Sequence, residues 1–226
     1  MLYVGTTNPG KISEIAAMLE PLQVAMQTVS LDVPETKDDF DENALEKAMA
    51  YAAHTGGVTI CEDSGLVVPA LDGLPGPWSA RFADCVVAAK PGGRKQVLDV
   101  SSTSTPRQEM DAKNNARVLS LMDGIDMPRR GAYFIVSLIV RDGNFTLFRT
   151  RQEYHGWIAE QPRGEEGFGY DPIFVGHDTF GKTLSELDPV RKNLRSHRKR
   201  AMDELFAWLS QNRERLTGSY RGGEQP

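Results

Sequence analysis

Apolar positions along this chain recur with two spacings, and they predict a series of short strands and helices. Leu2-Tyr3-Val4 is a short strand-like run. Ile12, Ile15, Ala16 and Leu19 then follow at helical spacing, with Asn8 suited to cap that helix and Pro9 to its first position. A second strand is expected near Val24–Val29. A helix over Asp41–Thr55 would pack through Ala44, Ala48 and Ala52 and stop at Gly56-Gly57, with Glu42, Glu46, Lys47 and Tyr51 on its other faces. Val58-Thr59-Ile60-Cys61 reads as a buried strand that ends in an acidic turn at Glu62-Asp63, before Ser64-Gly65. Asp72 to Pro77 reads as a surface loop, and the polar stretch 84–110 as irregular and in part mobile. A helix over Asp111–Met122 stops at Asp123-Gly124, and Ala132–Arg141 and Phe145–Tyr154 form a hairpin about Asp142-Gly143. After a short strand at 173–175, Ser196 caps a last helix whose inner face is Ala201, Leu205, Trp208 and Leu209. The tail from Gly218 is expected to be disordered, and no internal repeat is present.

The 226 residues, 40% of them hydrophobic, suit one globular domain with a sizeable core and room for two lobes. A net charge of -5 gives no bulk basic surface for nucleic acid, though a small anion needs only local charge. Cys61 and Cys85 match no metal-ligand spacing. No apolar run is long enough to span a membrane, and the N-terminus enters a strand without a signal sequence, so the expected location is cytoplasmic.

Four stretches carry candidate chemistry. Glu62 and Asp63, fixed at a strand end, could hold a hard cation such as Mg²⁺ through oxygen, or one of them could take a proton from water; a solvated turn is the competing account. Gly5-Thr6-Thr7-Asn8-Pro9-Gly10-Lys11 opens a helix, where free N–H groups, the dipole and a lysine favour phosphate. It also spells the P-loop pattern, but Ile12 stands where the Mg²⁺-binding hydroxyl belongs, and an ordinary strand-turn-helix accounts for it nearly as well. The Gly-rich loop through Gly167-Phe168-Gly169-Tyr170-Asp171 could stack on a base and accept from ring N–H groups, or be a tight turn with a core aromatic. His197 and Arg198 in the first turn of the last helix oppose its dipole, which a bound anion would offset, while Lys199 and Arg200 fit a solvated face. Glu35 and Lys47 matter only if the fold brings them to Asp63.

Taken in order, Thr6 to Lys11, Glu35 through Glu42-Asn43-Ala44 with Lys47-Ala48, Asp63-Ser64-Gly65-Leu66, Leu74-Pro75-Gly76 with Ser79-Ala80-Arg81, Gly167 to Phe174, and Lys192 with Ser196-His197-Arg198 resemble the inosine triphosphatase (ITPase) family, pyrophosphatases of non-standard purine nucleoside triphosphates. The resemblance runs from Val4 to about Leu205. It implies an α/β fold with a long curved mixed sheet, two lobes over 1–217, a central substrate cleft and a homodimer. It also implies Mg²⁺-dependent hydrolysis of ITP, dITP and XTP to the monophosphate and pyrophosphate. On this reading the turn Thr6, Thr7, Asn8, Pro9, Gly10 and Lys11 holds the triphosphate. Glu35 and Asp63 serve the metal, Asp63 is also the base, and Lys47 is catalytic. Ser64 and Lys192 contact the nucleotide. Phe168 stacks on the purine within its loop with Gly169 and Tyr170, and Asp171, His197 and Arg198 line the purine's edge. Glu62 stands where the family usually has Asp, and is a candidate further metal ligand. Residues 84–110 do not match in detail. The competing functions are a P-loop ATPase or GTPase, a nucleotide sensor without turnover, and a Maf-type pyrophosphatase for other modified nucleotides.

Overall fold

A strand rich in β-branched residues, Thr59-Ile60-Cys61, needs partners on both edges and cover on both faces. A computed structural model, which describes residues 1–20, 24–89, 95–100 and 105–212, shows how it obtains them. The expected disordered tail from 218 lies outside the described residues. The elements in chain order are β1 (Leu2–Gly5), α1 (Pro9–Leu19), β2 (Met26–Val29), α2 (Phe40–Thr55), β3 (Thr59–Val67), β4 (Cys85–Ala89), β5 (Lys95–Val100), α3 (Arg107–Leu121), β6 (Gly131–Asp142), β7 (Phe145–Ile158), β8 (Phe174–Gly176), α4 (Pro189–Asn193) and α5 (His197–Gln211). Six strands form one mixed sheet in the order β2-β1-β3-β6-β7-β8. In it β1 runs parallel to both β2 and β3, and β8 antiparallel to β7. β4 and β5 form a separate antiparallel pair.

The chain divides into two units, and it crosses between them within β3, β6 and β7 and at the start of α5. The first comprises Met1–Asp63, Val136–Gln152 and the chain from Arg198. Alternation along its strands builds two cores. Val4 and Ile60, with Val136, Leu138 and Val140, pack against Ile15, Met18 and Leu19 of α1 and Ala201, Met202, Leu205 and Leu209 of α5. Cys61 and Ile139 point the other way, onto Ala44, Ala48 and Tyr51 of α2. So α1 with α5, and α2, cover opposite faces. The caps follow their chemistry: the Asn8 side chain accepts from the N–H of Gly10 and Lys11, Asp39 from those of Asp41 and Glu42, and α2 stops at the left-handed Gly56. The second unit, Ser64–Ile135 with Glu153–His197, has its own core of Leu66, Val68, Phe82, Val118, Met122, Phe134, Tyr154, Ile173 and Phe174 among others.

Three expectations need correction. β3 does not stop before the acids: it runs on to Val67, so Glu62 and Asp63 sit within a strand and not in a turn. The stretch 84–110 contains β4, β5 and the first turn of α3, although 90–94 and 101–104 lie outside the described residues. Its strands are only five and six residues long, too short for a period to rise above the surrounding loop composition. Finally, Lys47 and Tyr51 are not on solvated faces of α2 but buried.

Candidate active site

Glu62 and Asp63 are adjacent in β3, so their side chains leave on opposite faces. On the face covered by α1 and α5, Glu62 receives Arg198 in a two-pronged contact, Nε to Oε2 at 2.7 Å and Nη2 to Oε1 at 2.9 Å. Arg198 also binds the Glu14 carboxylate through Nη1. Lys11 adds its ammonium 3.1 Å from Glu62 Oε1. Glu14, Glu62 and Arg198 are all buried, and two cations balance two anions. Burial works against the charge on Arg198, but Glu62 and Glu14 outweigh it and hold its pKa above the ordinary arginine value. The anion that the first turn of α5 needs is therefore the protein's own.

The opposite face brings two carboxylates to one lysine. Lys47 Nζ bonds the Glu35 carboxylate and lies 4.0 Å from Asp63 Oδ1. Asn43 donates from Nδ2 to Asp63 Oδ2 at 3.1 Å. Two carboxylates thus share one lysine. Burial pushes the Asp63 carboxyl up to about 6, a rise that Lys47 opposes and Glu35 reinforces. Burial also opposes the charge on Lys47, yet Glu35 and Asp63 prevail and its pKa is raised, so Lys47 stays an ammonium. Two neighbouring carboxylates are a donor set that fits Mg²⁺, since that ion takes one or two carboxylates and completes its shell with water and phosphate. Among the described residues no three His, Cys, Asp or Glu side chains gather as a metal cage.

Beside these lies the turn before α1. Thr6 is buried and its Oγ1 accepts from Asn8 N–H at 3.2 Å, while Thr7 and Pro9 are exposed. The Gly10 and Lys11 amides point to Asn8 Oδ1 at 3.0 and 3.4 Å, so two of the N–H groups expected to be free are capped.

In the second unit, Lys192 Nζ sits 2.7 Å from Asp171 Oδ2 and 4.3 Å from the centre of the Phe168 ring. Asp171 also accepts from Phe168 N–H at 2.8 Å. Gly167 permits this: its φ is +84°, and a Cβ there would fall 2.3 Å from Asp171 Oδ2. α3 braces the loop, with Gly169 N–H donating to Asp111 at 2.9 Å and Asn115 donating to Gly169 carbonyl at 3.0 Å. His197 lies flat on Phe134, ring centres 5.2 Å apart, and Ser64 is half-buried.

Several expected roles change on this geometry. Glu62 is no partner of Asp63 for a metal, because its two oxygens face Arg198 and Lys11 across the sheet. Arg198 is not a base-edge donor here but the buried counter-charge of two glutamates. Tyr170 is a core residue: it is 4% exposed and its hydroxyl donates to Ser79 carbonyl at 2.9 Å. The residues that sequence reading passed over are Glu14, Asn43, Tyr51, Asp111 and Asn115. A usable signal existed for α2, where Asn43, Lys47 and Tyr51 repeat every four residues beside the alanine ridge.

Comparison with known proteins identifies the family. The Ham1 family profile matches residues 2–208. A dITP/XTP pyrophosphatase of Aquifex aeolicus (strain VF5) is 37% identical over 206 residues, 90% of this chain and 94% of that protein. One of Desulforamulus reducens is 34% identical over 216 residues, 92% of this chain and 95% of that one. Among solved structures, a HAM1 protein from Coxiella burnetii superimposes with a TM-score of 0.73 at 28% identity, covering 93% of this chain and 98% of its own. A nucleoside-triphosphatase / dITP/XTP pyrophosphatase from Mycobacterium abscessus superimposes with a TM-score of 0.64 at 35% identity, covering 90% of this chain and 96% of its own. Sequence and fold agree over almost the whole length, and the chain belongs to the Ham1 family.

Proposed function

We propose that this chain hydrolyses non-standard purine nucleoside triphosphates, dITP, ITP and XTP, to the monophosphate and pyrophosphate with Mg²⁺, and so removes them from the nucleotide pool. The names of its relatives support the substrate class. The observation that carries the chemistry is that Glu35 and Asp63 meet at the ammonium of Lys47.

Glu35 and Asp63 would hold the Mg²⁺, which supplies charge neutralisation on the phosphate oxygens. Asp63, with a pKa near 6, is ionised in most molecules at neutral pH and basic enough to take the proton from the attacking water. Asn43 fixes that carboxylate in one orientation. Lys47, held protonated, stabilises charge that develops on phosphate. Lys11 and the Asn8-capped start of α1 present positive charge to the triphosphate. In the second unit, Phe168 offers a face for the purine. Lys192, beside that face, is the donor best suited to a C6 oxygen, which the 6-oxo purines have and adenine lacks. A homodimer and a cytoplasmic location complete the proposal by family resemblance; no described helix is long and apolar enough to cross a membrane.

The test is product analysis. Purified protein is incubated with dITP, XTP, ATP and GTP, with Mg²⁺ and again after chelation. Pyrophosphate from dITP and XTP, little turnover of ATP, and loss of activity on chelation that Mg²⁺ restores are expected. Release of orthophosphate, or equal rates on ATP, would overturn the reading.

A further inference from the structure

Residues 30–37, which carry Glu35, lie outside any helix or strand, so their backbone must find hydrogen bonds elsewhere. Two side chains of α2 provide them. The Tyr51 hydroxyl accepts from Leu31 N–H at 2.9 Å and donates to Leu31 carbonyl at 2.8 Å. The Asn43 amide does the same for Lys37, accepting from its N–H at 3.0 Å and donating to its carbonyl at 3.1 Å. Lys47 bonds Glu35 between them. Positions 43, 47 and 51 are four apart, so they form one ridge of the helix. All three side chains are buried.

The segment's own pattern fits this rail. Val29, Leu31 and Val33 alternate inward onto the Tyr51 cluster, and Glu35 is the next residue in that phase. The Tyr51 ring has a prepared seat. A Cβ on Gly5 would come 2.7 Å from Tyr51 Cγ and 2.6 Å from Cys61 Sγ, so only glycine at the end of β1 leaves the ring its place. Burial raises the Tyr51 pKa, which keeps the hydroxyl able to donate as well as accept.

We propose that Tyr51 and Asn43 are positioning residues for the metal-binding carboxylate of Glu35, acting through the backbone of residues 31–37. Tyr51 acts on this segment alone, whereas Asn43 holds it and also donates to Asp63. They hold the segment at both ends, so that Glu35 reaches Lys47 and faces Asp63 without searching. The inference rests on the proposed metal role of Glu35.

The test uses Mn²⁺ as the probe and reads its binding to the intact protein by electron paramagnetic resonance, with no substrate present. Wild type, Tyr51→Phe, Glu35→Gln and the double variant are compared. Tyr51→Phe keeps the ring and should weaken Mn²⁺ binding about 10-fold, the lower end of what such supporting residues contribute. In the Glu35→Gln background the same change should do nothing further, because the group it positions is gone. Asn43→Ser, which also removes a bond to Asp63, should weaken Mn²⁺ binding more in wild type than in the Glu35→Gln background, and an equal loss in both would show that Asn43 acts through Asp63 alone. Unchanged affinity in Tyr51→Phe, or an equal loss with and without Glu35, would overturn this inference alone. Absence of Mn²⁺ binding in the wild type would overturn both it and the metal reading.

Discussion

Glu62 and Asp63 are neighbours in sequence whose carboxylates serve opposite faces of one strand, Glu62 meeting Arg198 and Lys11, and Asp63 meeting Asn43 and Lys47. Removing charge from each should therefore do different things. Asp63→Asn is expected to lower kcat on dITP by roughly 10²-fold or more while leaving the thermal midpoint near wild type. Glu62→Gln is expected to lower the midpoint, because Arg198 and Lys11 lose their shared counter-charge in a buried place. Turnover and thermal unfolding measured on both variants decide the matter. A folded Asp63→Asn protein with near-normal turnover would sink the assignment.

Arg198 gives a second separation. Arg198→Met leaves Glu14 and Glu62 buried without their main partner and should cost about 3–5 kcal/mol of stability. Adding Glu14→Gln and Glu62→Gln to it should recover part of that loss. Urea unfolding of the single and triple variants is the measurement. If Arg198→Met unfolds at the wild-type urea concentration and instead narrows the dITP/ATP preference, Arg198 reads the base after all.

Lys192 is placed to choose the base. With its ammonium beside Phe168 and on Asp171, Lys192→Met should lower kcat/KM for dITP far more than for ATP, since only the first has a C6 oxygen to accept from it. Phe168→Ala should weaken both nucleotides alike, by the roughly 1–3 kcal/mol that stacking one base on an aromatic ring contributes. Equal losses for dITP and ATP in Lys192→Met would move base choice elsewhere.

The two thiols should be silent. Burial pushes Cys61 up to about 12 and Cys85 up to about 11, from an ordinary 9.0. Only the thiolate reacts, so iodoacetamide at pH 8 should label the native protein at least about 100-fold more slowly than the urea-unfolded chain. The sign for stability follows. Both folded pKa values lie above the unfolded one, so the contribution of the buried thiols is complete below pH 9.0 and declines as pH rises toward about 11 and 12. Rapid labelling in the native state would show that these sites open.

Much of this was readable from the chain. The Asn8-Pro9 start of α1, the Gly56 stop of α2 and the β6–β7 hairpin follow local rules, and local rules are legible in one sequence. The resemblance also singled out Glu35 and Lys47, and the fold brings both to Asp63. The illegible part is long-range. That β3 continues past Cys61 depends on the strands beside it, because Glu-Asp-Ser-Gly alone has turn composition. That Arg198 belongs to Glu14 and Glu62 depends on α5 crossing the face of β3, and nothing near residue 198 announces it. The buried polar residues of α2 gave no sign of burial in the sequence, because Tyr51 bonds the backbone of an irregular segment and Lys47 bonds Glu35, carried by that same segment.

The pairing of Arg198 with Glu62 spans 136 residues, and that separation bears on how the chain is made. Glu62, Lys11 and Glu14 leave the ribosome well before Arg198 and the rest of α5. Until then a closed first unit would hold two carboxylates in its interior against a single lysine. This predicts that closure of the first unit waits for α5, which the protease resistance of chains ended before and after residue 198 would check. A chain ended before Arg198 is expected to be cut readily where the full chain resists.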